Sequence, residues 1–189
     1  MNCRSKGMLP GILPSVTILL GLTIALSAAR VSAQAQQTPS MIAVSGGVPI
    51  AVLHAEGAQI YQCESDSHDQ LVWQPREPIA SLILDGDTVG RHYAGLHWGH
   101  IDYARFQWEH ADGSEVQARI AASAAAASPD DIPWLRLDVT RQTGNGALYG
   151  VTAVQRINTR GGMARGSCDK AGNYLGVPFS ADYVFWRED

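Results

Sequence analysis

Polar and apolar residues alternate along most of the chain from Val48 onward, which is the pattern of β-strands with one buried face. Residues 59–63 alternate in this way, and residues 71–73 follow them after a short polar stretch. The two segments could pair as the arms of a hairpin. Residues 134–140 and 179–186 each place their large apolar side chains on one side. These segments predict strands that share one hydrophobic core.

Turn signals separate the alternating segments. Asp85-Gly86 and Asp112-Gly113 each lie between two such segments, and Asp-Gly is a favoured sequence for a tight hairpin turn. The Gly-Asn-Gly sequence at 144–146 predicts a third turn. Pro75 and Pro78 predict a loop between two strands, because proline lacks the N–H group that strand pairing uses.

About eight to ten strands follow from this pattern, and no segment has the periodicity of an amphipathic helix. The alanine-rich residues 121–127 predict either a helical turn or the continuation of a strand. The sequence therefore predicts an all-β domain, built as a single antiparallel sandwich or barrel with long loops. It leaves the choice between sandwich and barrel open.

The N-terminal segment has the features of a secretory signal peptide. Arg4 and Lys6 precede an apolar stretch, and residues 31–33 supply the small side chains of a cleavage site. The uninterrupted apolar part, 16–29, is shorter than the roughly 20 residues of a membrane span. We therefore expect three parts, which are a cleaved signal peptide at 1–33, a flexible leader at 34–47 and a single β-rich domain at 48–189.

Predicted export determines the expected location and charge of the mature chain. We expect an exported protein, periplasmic or extracellular, with no membrane span after cleavage. The full chain has a formal net charge of −4, and removal of Arg4, Lys6 and Arg30 leaves about −7. Nucleic acids and anionic membranes bind basic patches, so this acidity argues against both as partners. The predicted partner is a small molecule, a glycan or a protein.

Two cysteines, Cys63 and Cys168, remain after the predicted cleavage. In an oxidising compartment two cysteines usually pair, so we expect one disulfide bond between them. The alternative is a pair of free thiols that share a metal ion.

Seven short motifs follow one another along the chain. They are Gln59-Ile60-Tyr61-Gln62-Cys63, Gly90-x-His92-Tyr93-Ala94-Gly95, Trp108-Glu109-x-x-Asp112-Gly113-Ser114-x-Val116, Ile132-Pro133-Trp134-Leu135, Gln155-Arg156-Ile157-Asn158-Thr159-x-Gly161-Gly162, Cys168-Asp169 and Val177-Pro178-Phe179-Ser180-Ala181-Asp182-Tyr183. Together they resemble the family called domain of unknown function 3455, over most of residues 57–186. The resemblance implies a secreted protein of bacteria or fungi with no established activity, and it supplies no catalytic residue. In the family pattern the second and third motifs are nearly adjacent, whereas here residues 96–107 separate them.

Four histidines within nineteen residues are the candidates for a metal site: His92, His97, His100 and His110. Zinc and related ions bind imidazole and carboxylate groups, and a turn could bring His97 and His100 to one ion. With an open coordination position, such a site would activate water for hydrolysis. The alternative is ordinary half-buried sheet surface, because residues three apart on one strand face opposite sides.

Aromatic side chains are the candidates for a ligand-binding surface. Trp98 lies within the inserted residues 96–107, and Tyr93 and Trp108 flank them. Exposed together, these rings could form a platform for a sugar or an apolar partner.

The sequence favours a non-catalytic binding or surface-interaction module without a cofactor. The rival is a small metal-dependent, hydrolase-like enzyme that uses the histidines from His92 to His110. An enzyme of this kind needs at least three ligands converging on one point beside a pocket, whereas a binding module needs only an exposed patch.

Overall fold

The computed structural model describes residues 38–97 and 100–189, with residues 95–97 and 100–104 described as backbone alone. The predicted signal peptide and Trp98 lie outside the described residues. No helix in the described part of the chain is long and apolar enough to cross a membrane.

Within the described residues, eight strands form one antiparallel sheet that closes on itself, so the all-β prediction is confirmed and the architecture is a barrel rather than a sandwich. Each strand pairs with the next along the chain, and the last pairs with the first. A short 3-10 helix, Ser40–Ile42, precedes the barrel. The strands are β1 (Gly47–Ser65), β2 (Leu71–Leu84), β3 (Asp87–His97), β4 (His100–His110), β5 (Glu115–Ala124), β6 (Trp134–Thr143), β7 (Ala153–Gly161) and β8 (Tyr174–Glu188).

The hydrophobic core fills the inside of the barrel, because alternate residues of each strand face inward. Trp108 is the largest fully buried side chain, and burial of a residue such as Leu137 contributes about 1.5–3 kcal/mol. The inward positions of β8 are the aromatic and small residues predicted to share one face. The core includes Leu53, Ala55, Leu82, Trp108, Val116, Leu137, Val154, Phe179, Ala181, Tyr183 and Phe185.

The predicted turns at Asp85-Gly86 and Asp112-Gly113 are confirmed. They join β2 to β3 and β4 to β5, and Gly86 and Gly113 have φ angles of 93° and 86°. Only glycine adopts these angles without strain, which explains its place in both turns.

The loop predicted at Pro75 and Pro78 is wrong, because both prolines lie within β2. They pair with Tyr61 and Gln59 of β1. On its other side, β2 pairs with β3 only from Ala80 onward. The prolines therefore occupy a stretch of strand edge where no neighbour needs their missing N–H groups.

Part of the predicted leader packs against the barrel. Ile42 is fully buried with Ala124 and Trp134, and its carbonyl accepts a hydrogen bond of 2.6 Å from Nε2 of Gln155. The alanine-rich residues 121–127 continue β5 as far as Ala124. Their small side chains leave space on the outer face of the sheet, and Ile42 fills it.

The predicted disulfide bond joins Cys63 to Cys168, with the two Cα atoms 5.9 Å apart. It connects the end of β1 to the segment between β7 and β8. The alternative of two free thiols is therefore wrong.

Candidate functional site

A pocket of about 680 Å³ opens at the end of the barrel where β1 ends and β2 begins. We call it the mouth pocket. Its wall is mostly apolar, and its polar groups come from a few side chains of β1, β2, β5 and β7. The apolar lining residues are Trp73, Pro75, Pro78, Phe106, Ile120, Ile132, Pro133, Leu135, Met163 and Ala164, and the polar ones are Gln59, Tyr61, Arg76, Arg119, Ser123 and Arg156.

The pocket exists because two strands leave their neighbours at this end. The pairing of β2 with β3 ends at Ala80 and His92, and the pairing of β4 with β5 ends at Phe106 and Ala118. Beyond these points the described parts of β3 and β4 pair only with each other, and they form a two-stranded arm. Next to the arm, the described part of β2 does not pair with β3, and the described part of β5 does not pair with β4. These stretches of β2 and β5 carry Pro75, Pro78 and Ile120 of the pocket wall.

Arg156 is the one charged side chain of the described mouth pocket that is deeply buried, with 5% of its surface exposed. It lies at an inward position of β7, two residues after the core residue Val154. Its Nε donates a hydrogen bond of 3.0 Å to the carbonyl of Pro133. Within the described residues, no carboxylate forms an ion pair with Arg156.

Asp182, the nearest carboxylate along the neighbouring strand, faces the opposite side of the sheet. Its two oxygens contact Nδ1 of His54 and accept a hydrogen bond from Nδ2 of Asn158, each at 2.8 Å. The guanidinium of Arg156 therefore lies inside the barrel and does not pair with Asp182. The carboxylate of Asp182 has its own hydrogen-bonding partners outside the barrel.

The other polar groups around Arg156 are neutral. Tyr61 donates a hydrogen bond of 2.7 Å to the carbonyl of Gly162, and burial raises the pKa of its hydroxyl. Burial also raises the pKa of Tyr183, against the opposing charge of Arg156. The Tyr183 hydroxyl lies beside the guanidinium of Arg156, whose charge and N–H groups oppose this rise. Neither tyrosine can compensate the positive charge.

His92, a predicted metal ligand, is fully buried in the core. It stacks on Trp108 with ring centres 4.5 Å apart and meets the edge of Tyr183 at 4.8 Å. Its Nδ1 lies 2.8 Å from the carbonyl oxygen of Gln107, so Nδ1 carries the proton of the neutral ring. Burial lowers the pKa of His92 to about 3, because the charged ring would lose its hydration.

His110 lies near the other end of β4, away from the mouth pocket. Its Nδ1 is 2.9 Å from Oδ2 of Asp112 in the turn between β4 and β5. His97 and His100 pair with each other across the arm, but their side chains lie outside the description. Among the described residues, no group of three His, Cys, Asp or Glu side chains is arranged to hold a metal ion. A metal site that uses His97 and His100 stays a prediction.

Asp112 holds this turn together. Its Oδ1 accepts hydrogen bonds from the amide and the hydroxyl of Ser114, at 2.9 and 2.6 Å, and its Oδ2 accepts one of 2.6 Å from the amide of Ala147. The bond from the Ser114 hydroxyl is the largest cause of a pKa held well below the usual range of a carboxyl. Asp112 therefore has a structural role.

Replacing Asp112 by alanine is expected to lower the free energy of unfolding by about 1.5–3 kcal/mol, the range for hydrogen bonds to a charged group. Urea denaturation at neutral pH measures it, and Asp138→Ala, which changes an exposed carboxylate, is the control. Because folding lowers the pKa of Asp112, its contribution is present above about pH 4 and is lost as the pH falls further. An equal loss in the two variants would contradict the assignment.

The predicted aromatic platform is not assembled from the described residues. Trp108 is fully buried in the core. Tyr93 donates a hydrogen bond of 2.9 Å to Oε2 of Glu109, which also pairs with Arg91 at 2.7 Å. Burial and Glu109 together raise the pKa of Tyr93 to about 12. The tryptophan that the structure places in the mouth pocket is Trp73.

Sequence reasoning missed Arg156 and the wall of the mouth pocket. One signal was present, since Val154 and Arg156 share the parity of the inward face of β7, so a charge occurs where the pattern requires an apolar residue. The wall had no comparable signal, because it depends on where strand pairing stops.

Comparison with known proteins adds a family and no activity. The family model that matches the chain is described as Protein of unknown function (DUF3455), and it covers residues 44–187. No curated protein and no solved structure matches the chain. The geometry of the site therefore has to carry the functional argument.

Proposed function

We propose that this chain, which belongs to the DUF3455 family of proteins of unknown function, is a non-catalytic module that binds a small, largely apolar molecule in its barrel. The observation that carries the proposal is the mouth pocket. Its volume of about 680 Å³ lies within the range of small-molecule sites, roughly 300–1,000 Å³. Such sites combine apolar walls with a few polar groups that orient the ligand, as this wall does.

The other large depression of the described surface suits a ligand less well. It has a volume of about 550 Å³ and is lined by charged side chains that include Arg136, Asp138 and Glu188. Arg136 and Asp138 already form an ion pair of 3.5 Å there. An apolar molecule would bury its surface better in the mouth pocket.

A binding role, rather than catalysis, suits the polar groups of the mouth pocket. The Tyr61 hydroxyl is already a donor to a backbone carbonyl, and the Gln59 amide donates to the carbonyl of Ile60 at 3.3 Å. A general acid or base needs a proton that it can exchange near neutral pH, and neither group offers one. The disulfide bond supports the predicted export, because such bonds persist in oxidising compartments.

The experiment is a titration with N-phenyl-1-naphthylamine, a neutral apolar dye whose emission rises in an apolar site. Ile120→Trp fills the mouth pocket from a position that is 52% exposed, so the fold tolerates the larger ring. We expect it to weaken dye binding at least about tenfold, the effect of losing roughly 1.4 kcal/mol of contacts.

Ile79→Trp is the matched control, because Ile79 is 54% exposed and lies outside the pocket wall. It should bind the dye like the unchanged protein. A protein that binds no dye, or two variants that bind it equally well, would contradict the proposed site.

A further inference from the structure

We propose that the ligand of the mouth pocket is an organic anion with one carboxylate and an apolar body, and that its carboxylate binds Arg156. This inference rests on the proposed function and adds the chemical class of the ligand. It starts from one feature, which is a buried positive charge without a negative partner among the described residues.

A buried guanidinium is unfavourable unless a negative group compensates its charge. Arg156 is 95% buried, and the described carboxylates do not pair with it. The groups that face it are the neutral tyrosines of β1 and β8, Tyr61 and Tyr183, and His92 of β3, whose pKa of about 3 keeps it neutral. A ligand is therefore the group that remains to supply the negative charge.

The free donors of Arg156 suit a carboxylate. Nε is used by the carbonyl of Pro133, and within the described residues the terminal N–H groups have no carboxylate partner, although the Tyr183 hydroxyl lies beside them. These N–H groups form a planar fork that holds two carboxylate oxygens at once. A phosphate, with more charge and more acceptor oxygens, would need further buried donors, which the apolar wall does not supply.

The charges at the rim have the same sign. The other ionisable side chains of the wall, besides Tyr61, are Arg76 and Arg119, and the described wall contains no carboxylate. Arg76 pairs with Glu77 at 3.8 Å, and Arg119 also has a partner, so neither is the free donor. The described wall therefore has no carboxylate of its own that would repel an anion.

The test compares three competitors with one alkyl chain and different heads: decanoate, decanol and decyltrimethylammonium. Each displaces N-phenyl-1-naphthylamine from the protein near neutral pH, where decanoate is ionised. We expect decanoate to compete at a concentration about tenfold or more below that of decanol, because a charged hydrogen bond is added. The cationic competitor should be the weakest.

Three variants assign the preference to one side chain. Arg156→Met removes the charge and keeps the length, and it should bind the three competitors about equally while still binding the dye. Arg156→Lys keeps the charge without the fork and should keep part of the preference. Arg160→Met makes the same change at an exposed position of β7 and should behave like the unchanged protein.

Each outcome has one meaning. A preference for decanoate that Arg156→Met removes supports the inference. Equal competition by all three heads in the unchanged protein overturns the inference and leaves the apolar binding site intact. A preference that survives in Arg156→Met also overturns it. Absence of dye binding overturns the proposed function itself, and this inference with it. If Arg156→Met does not fold, the inference is still tested by comparing the three competitors on the unchanged protein and on Arg156→Lys.

Discussion

Replacing Cys63 and Cys168 together by alanine is expected to lower the free energy of unfolding by about 4–5 kcal/mol. The bond joins residues 105 apart in sequence, and without it the unfolded chain gains the freedom of a long open loop. In the chain-entropy model, a closed loop of about 100 residues corresponds to about 4.7 kcal/mol. Urea denaturation in oxidising buffer measures the difference.

A reductant is the control for this prediction. The unchanged protein should become about as unstable as the double variant when its disulfide is reduced, and the double variant should not respond. Equal denaturation midpoints for the two proteins in oxidising buffer would show that the bond contributes nothing to stability.

The same bond also shapes the mouth pocket. Cys168 follows the segment that carries Met163 and Ala164 of the pocket wall, and Ser167 forms a bridge to Val72 at the start of β2. Without the bond this wall is held by fewer contacts, so the double variant should also bind N-phenyl-1-naphthylamine more weakly. Unchanged dye affinity would mean that the wall keeps its place without the bond.

The strands could be predicted from the sequence, whereas the closure of the sheet could not. Alternation in β6 and β8 is a local pattern, and it identified both strands and their inward faces. Sandwich and barrel use the same alternation, and the difference between them is whether the first strand pairs with the last. That pairing joins residues such as Leu53 and Tyr183, and no local signal reports it.

One local prediction failed because neighbours in space decided the outcome. Pro75 and Pro78 lie in a strand because β3 leaves β2 before reaching them. Ile42, in the predicted leader, is buried because the alanines of β5 make room for it on the outer face of the sheet. A proline signal describes what a segment does alone, and tertiary contacts can change the outcome.

Two of the predicted site residues lie in the core rather than in the mouth pocket. Histidine and tryptophan suggested chemistry at His92 and Trp108, but both rings pack against each other in the core. Arg156 carried a usable signal, which is a charge at an inward position of a strand. Recognising that signal requires knowing which face of β7 is inward. The sequence alone does not rank these alternatives.

Acidification is expected to destabilise the protein through His92. In the folded state its pKa is about 3, whereas an unfolded histidine has a pKa of about 6.5. Below pH 6.5 the unfolded chain therefore binds a proton that the folded protein does not. Stability is complete above about pH 6.5 and falls by up to about 1.4 kcal/mol per pH unit as the pH drops toward 3.

Replacing His92 by glutamine removes the titrating group and should flatten this dependence. The variant loses the ring stacked on Trp108 and will be less stable near neutral pH, so the informative quantity is the slope of unfolding free energy against pH, measured by urea denaturation.

His68→Gln is the control, since its side chain is 81% exposed and should leave the slope unchanged. Between about pH 4.5 and 6.5 the contribution of Asp112 is still present, so a change of slope in this window does not come from Asp112. An unaltered slope in His92→Gln would mean that the buried ring is charged in the folded protein, and the barrel would then have to stabilise a second positive charge beside Arg156.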